Sequence, residues 1–357
     1  MAALNEEQTM LRDMAREWAD NESPVTAFRK LRNVGTAEGY DPQAWSTQAE
    51  MGWAGIIIPE EHGGSAFGYL SLGLVLEQLG RNLAASPLAA TAAAASAIVL
   101  GGSDAQKGEW LPKIASGEVV ATLAIDEGPF FAPEKIEATV SGGKLTGTKQ
   151  FVAEGDAAQL FVVAAKDGLY LVGKGDGVSV SPRKMADARS HAEVRFEGAS
   201  ADKLAGGGEQ LLTQVTDRAA AAVAAEMLGA ATQAFETTND YLKTRVQFGQ
   251  ALSSFQALQH RMARMFTEIE LMRSTVEGAL EAIDSGRSDV DQAVSLAKAT
   301  ASDVLHLVSR EMVQLHGGIG MTDEHDAGFY LKRARVLETM WGNAAYHRER
   351  FARLNNY

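Results

Sequence analysis

The chain has 357 residues, 46% of them apolar and 22% charged, the balance of an ordinary globular protein with room for two or three packed units. Its net charge of −13 argues against general nucleic-acid binding, and the absence of cysteine removes disulfides, thiolate metal sites and cysteine nucleophiles together. A reducing, cytoplasmic setting without a membrane span is the expectation.

From Asn5 to about Gly117 apolar residues recur at helical spacing, as in "EEQTMLRDMAREWA" and "LSLGLVLEQLGRNLAA", with punctuation at Pro24, "IIIPEEHGG" and Pro87. The opening residues lack the basic start and apolar core of a signal peptide. The run from Ala84 to Leu100 is mostly alanine with polar interruptions, which predicts a buried helix rather than a membrane segment. After "LPKIASGE" the texture changes to short alternating runs separated by Gly, Asp and Ser turns, among them "VVATLAIDE", "QLFVVAAKDGLYLVGKGDGVSVSPR" and "AEVRFEGA". Beyond "GGGEQ" the helical period returns in three long, weakly capped segments and a final one, which predicts a four-helix bundle. The expected class is mostly α with a central β domain, a small barrel or sandwich, divided as 1–119, 120–204 and 205–357.

One stretch interrupts good helix. "QLHGGIGMTDEH" places Gly317, Gly318 and Gly320 within four positions. Each glycine costs about 1 kcal/mol relative to alanine in a helix interior, so the cluster signals a turn, or backbone that another group approaches closely.

The order helices, β domain, helices, together with "IIIPEEHGGSAFGY", "QKGEWLPKIASGE", "TGTKQFVAEGDAA", "KTRVQFGQALSSFQALQHRMARM" and "QLHGGIGMTDE", resembles the flavin-dependent acyl-CoA dehydrogenase family over essentially the whole chain. The resemblance implies FAD as cofactor, an acyl-CoA substrate, an electron-transfer flavoprotein or similar acceptor, and a homo-oligomer or a heterotetramer with a paralogue. It also implies that Arg245, Gln247, Phe248, Phe255 and Gln256 contact FAD, and that Gln314, Gly317 and Gly318 bring bare backbone to a flavin held largely by a neighbouring subunit. Arginine offers a planar fork of donors suited to pyrophosphate oxygens.

The β domain departs from the family pattern. Asp126 and Glu127 match a Thr-Glu pair, a serine-containing turn is missing, Phe151 replaces a tryptophan that covers the flavin, and Ala153 replaces a threonine. Near the C-terminus, in "LETMWGNAAYHRER", Trp341 stands where the family's catalytic glutamate usually lies and Asn343 where a threonine does. An indole cannot accept the substrate's α-proton. Asp217 and Glu338 are the substitute bases to consider; Glu226, nine residues from Asp217, lies on the opposite helix face. Three readings follow: a dehydrogenase with a relocated base, a base-less subunit completing the FAD site of a catalytic paralogue, and a helical scaffold without cofactor.

Overall fold

The helix starts follow local chemistry. Asn5 and Ser103 each form a capping box, with Gln8 and Gln106, at the starts of α1 (Glu6–Glu22) and α6 (Asp104–Ala115). Asp41 caps α3 (Pro42–Glu50), whose first residue is a proline with no N–H to satisfy. The computed structural model describes residues 4–206 and 209–357. The remaining N-terminal helices are α2 (Val25–Val34), α4 (Gly68–Arg81) and α5 (Leu88–Gly101). Eight strands follow: β1 (Ala121–Ala124), β2 (Thr139–Ser141), β3 (Lys144–Ala153), β4 (Leu160–Ala165), β5 (Gly168–Gly173), β6 (Val178–Lys184), β7 (Ser190–Ser200) and β8 (Asp202–Lys203). Then come α7 (Glu209–Thr244), a hairpin of β9 (Val246–Gln247) and β10 (Gln250–Ala251), α8 (Gln256–Asp284), α9 (Val290–His316), α10 (Ala327–Leu337) and α11 (Ala344–Leu354).

Two compact units divide the chain. One holds residues 28–72 and 85–222, the other residues 1–27, 73–84 and 223–357, so α4 and α7 each contribute to both.

In the first unit the strands make two four-stranded sheets, β1-β4-β5-β8 and β2-β3-β7-β6. All pairs are antiparallel except β1 with β4. Neither sheet closes, so the barrel alternative gives way to two open sheets. Their inward residues share one cluster, in which Phe161 of β4 meets Phe196 of β7 edge to face at 6.0 Å. Every residue of β4 is buried because helix α5 covers the sheet's other face at β1 and β4. The alanine-rich run thus becomes a helix buried along most of its length, and its small side chains let it lie close to the sheet. Among the described residues no helix is long and apolar enough to cross a membrane.

In the second unit α9 is the hub: α8, α10 and α11 all pack on it. Residues Val294, Ala301, Leu305, Val308 and Met312 form its buried stripe at helical spacing.

Candidate functional site

The first of the sequence-predicted elements is the β9–β10 hairpin that follows α7. Its two central residues, Phe248 (φ 55°) and Gly249 (φ 80°), are both left-handed, the geometry of a tight hairpin turn that normally selects Asn-Gly. Phenylalanine there costs about 1–2 kcal/mol of backbone strain. The ring is not repaid by burial: Phe248 is 87% exposed and touches Phe255 edge to face at 6.1 Å. Residues 243–250 are exposed without interruption. Among the described residues the side chains of Arg245, Gln247 and Gln256 make no hydrogen bond or ion pair.

The glycine cluster ends α9 in a short 3-10 turn, Gly317–Met321. Its three glycines have three different reasons. Gly317 (φ 62°, ψ −137°) adopts a conformation open essentially to glycine alone. A Cβ on Gly320 would come within 2.7 Å of the Val313 carbonyl oxygen. Gly318 meets neither constraint: an added Cβ finds nothing within 4 Å, and its φ is not left-handed. Among the described residues nothing requires glycine at 318, and the Gln314 side chain beside it is exposed and makes no hydrogen bond or ion pair. The turn is fixed from below by the buried His316 ring, stacked on Tyr241 at 4.3 Å and against His325 at 4.2 Å. His316 Nδ1 is 2.7 Å from the Met312 carbonyl oxygen, and the Tyr241 hydroxyl donates to the His316 carbonyl at 3.3 Å. Burial pushes the His316 pKa down. Tyr241 lies one turn before Arg245, so the end of α7 and the glycine turn are tied together.

The third element is the loop between α10 and α11. Trp341 is left-handed (φ 55°) and half-buried, and its carbonyl oxygen is 2.8 Å from His347 Nε2. Asn343 is the N-cap of α11: its Oδ1 accepts the Tyr346 N–H, which fixes the side chain against the helix start. Glu338 receives Arg335 at 3.0 Å and faces His306 Nδ1 at 3.3 Å, while burial raises its pKa against the pull of Arg335. Beneath the loop lies Lys298, fully buried, whose Nζ donates to the carbonyls of Leu337 (3.1 Å), Glu338 (3.3 Å) and Gly342 (3.0 Å). Burial depresses its pKa to about 7, and burial and the Lys298 charge depress that of His347 to about 3.

The two α7 carboxylates weighed from the sequence, Asp217 and Glu226, are both buried. Asp217 is 4% exposed, and Glu226 accepts Nε and Nη2 of Arg333 at 2.9 and 2.7 Å.

In the β unit Phe151 sits on a bulge of β3, left-handed (φ 52°) and exposed. The segment matching the missing family turn is clamped at its root. Glu127 accepts Lys149 Nζ (2.6 Å) and the N–H groups of Glu137 (2.6 Å) and Ala138 (3.0 Å). Lys149, itself fully buried, also donates to the Ile125 carbonyl at 2.9 Å. Burial pushes the Glu127 pKa up, but these hydrogen bonds outweigh it and the net shift is downward. Asp126 differs: burial raises its pKa to about 7 against the Lys149 charge and the Ala132 N–H, and its Oδ1 is buried with no hydrogen bond.

Among the described residues, Phe151, Phe248 and Trp341 are thus three of eight non-glycine residues held at positive φ. Left-handed aromatic residues are costly, and these three stand at positions singled out from the sequence. Sequence reading missed Lys298, His347 and Lys149. Lys298 had a signal: it interrupts the apolar stripe of α9 between Val294 and Ala301.

Comparison with known proteins agrees across the chain. The acyl-CoA dehydrogenase N-terminal domain matches residues 5–118, and the acyl-CoA dehydrogenase C-terminal domain matches residues 206–354. The acyl-CoA dehydrogenase IpdE2 of Mycolicibacterium smegmatis is 32% identical over 95% of this chain and 96% of its own length. Among solved structures, a Tcur3481-Tcur3483 steroid ACAD variant superposes with a TM-score of 0.90 at 29% identity, covering 98% of each chain. The ChsE4-ChsE5 complex of Mycobacterium tuberculosis gives 0.92 at 26% identity, covering 100% of this chain and 99% of the other. With two domain matches in order, full-length relatives and the same architecture, this chain belongs to the acyl-CoA dehydrogenase family.

Proposed function

We propose that the chain is a subunit of an FAD-dependent acyl-CoA dehydrogenase, and that a paralogous subunit completes its flavin sites and supplies the catalytic base. The observation that carries this reading is the exposed, unpartnered set Arg245, Gln247, Gln256 and Gln314 beside the strained, exposed Phe248. Guanidinium and amide donors suit a pyrophosphate and polar ring edges, and an exposed phenyl face suits a fused aromatic ring. The open backbone at Gly317 and Gly318 admits a flat group that no side chain of this chain displaces. These residues fit FAD. Phe151 offers a further aromatic face from the β unit, and losing a hydroxyl at Ala153 forgoes about 0.5–1.5 kcal/mol, too little to abolish binding.

Held by Arg245, Gln247, Phe248, Phe255 and Gln256, a flavin would supply the hydride acceptor for α,β-dehydrogenation, with an electron-transfer flavoprotein as the onward acceptor. The residues of this chain bind and orient. Glu338 is occupied by Arg335 and His306, and Asp217 is buried, which favours a base from the second subunit over either. The two-component names of the Tcur3481-Tcur3483 and ChsE4-ChsE5 structures support such pairing and suggest a bulky, steroid-type acyl group.

Co-expression with a paralogue tests the reading. The purified complex should show a flavin absorption spectrum bleached by its acyl-CoA, whereas the single chain should show negligible dehydrogenation of straight-chain acyl-CoA. Robust turnover of butyryl-CoA or octanoyl-CoA by the single chain would refute it.

A further inference from the structure

The Lys298 ammonium is in an unusual position for a buried cation. Among the described residues it forms no ion pair; its three protons face three carbonyl oxygens, with the Ser302 hydroxyl 3.4 Å away. A lysine near a helix C-terminus ordinarily satisfies the last carbonyls of that helix, and the bonds to Leu337 and Glu338 at the end of α10 do this. The bond to Gly342 does something else. It reaches past the helix end to the far side of Trp341, so the ammonium closes residues 337–342 into one loop around a single charge. His347 of α11 then takes the carbonyl of Trp341 itself. Two consecutive carbonyls, those of residues 341 and 342, are therefore held by two buried nitrogen bases from two helices. A buried cation with no carboxylate in contact, the Glu338 charge acting only at longer range, is expensive, and an apolar residue in the α9 stripe would avoid that cost.

We propose that Lys298 and His347 are positioning residues for residue 341: together they hold the 337–342 loop so that Trp341 is kept in its left-handed conformation. Residue 341 is the position matching the family's catalytic carboxylate. What the held indole does in catalysis rests on the function proposed above. That it is held does not, because holding is read without cofactor or substrate.

Hydrogen exchange and tryptophan fluorescence of the full chain provide the test, with Trp341→Phe identifying the contribution of Trp341 among the five tryptophans. In Lys298→Met, amide protection over residues 339–343 should fall about tenfold or more, and the Trp341 emission should shift, while protection within α9 and α10 is retained. Lys298→Arg, which keeps charge and donors, should restore part of the protection. If Lys298→Met does not fold, His347→Ala serves: it removes one of the two contacts and should produce the same local loss. Unchanged protection at residues 339–343, or a loss spread evenly through α9 and α10, overturns the proposal. Failure of the chain to bind flavin would sink the proposed function and leave these readings intact.

Discussion

A carboxyl oxygen buried without a hydrogen bond, as in Asp126, makes stability depend on pH. The folded-state pKa of about 7 lies above the unfolded value, so the native state retains a proton that the unfolded chain has lost. The contribution is complete below about pH 4 and is lost as pH rises through about 7. Asp126→Asn should therefore match the wild type near pH 4 and exceed it at pH 8 by about 1 kcal/mol, a figure kept below the full shift because the group is partly exposed. Denaturant midpoints at the two pH values decide this, and equal differences at both would contradict it. The glycines allow a second separation at this scale. Gly318→Ala should leave the thermal midpoint of the chain unchanged or slightly raised, because nothing opposes the methyl, yet lower the flavin-to-protein ratio of the complex. Gly320→Ala should lower the midpoint itself. Arg245→Ala should weaken flavin retention by roughly 1.5–3 kcal/mol through loss of a charge-assisted contact. An unchanged flavin content after dialysis of the Arg245 variant would remove that residue from the site.

Helix α4 and helix α7 meet through glycines on both sides within the second unit. A Cβ on Gly229 would lie 1.8 Å from the Glu77 carbonyl oxygen, and one on Gly80 would lie 2.2 Å from that of Glu226. Backbone on backbone leaves no flexible side chain to give way, so Gly229→Ala should force the helices apart at a cost of about 3 kcal/mol, the upper end of overpacking. Two ion pairs flank that crossing, the part-buried Arg273 with Glu77 at 2.7 Å and the buried Arg333 with Glu226. A thermal midpoint within 1–2 °C of the wild type would show that the crossing relaxes easily. The contrast with Gly318 is instructive: one glycine answers to the neighbouring helix, the other to nothing in this chain.

At the scale of the molecule, Val246, Phe248, Ile319 and Met321 remain exposed on the hairpin and the glycine turn, the elements proposed to meet the flavin. The chain should be a dimer or a dimer of dimers, with itself or with a paralogue, and light scattering should find no monodisperse monomer that retains FAD. Trp341→Glu in the single chain should restore little dehydrogenation, because the missing hydroxyl at Ala153 and the missing serine turn are unchanged. Substantial activity from that one substitution would show that the rest of the site is complete.

Periodicity alone placed the three textures, since a 3.6-residue or a two-residue repeat is a local property that burial preserves. The buried alanine-rich helix and the break at Gly317 were legible for the same reason, as was the family, carried by contiguous motifs such as "KTRVQFGQ" and "QLHGG". Other features depended on residues far apart in sequence. The two units interleave segments from both ends of the chain, and the strands form two open sheets whose order no linear reading supplies. The fates of Glu338, bound to Arg335 and His306, and of Asn343, used as a helix cap, are matters of contact. Sequence could place a lysine in the apolar stripe of α9, but only the tertiary structure shows what satisfies it there: carbonyls some forty residues later in the chain fold back to accept its hydrogen bonds.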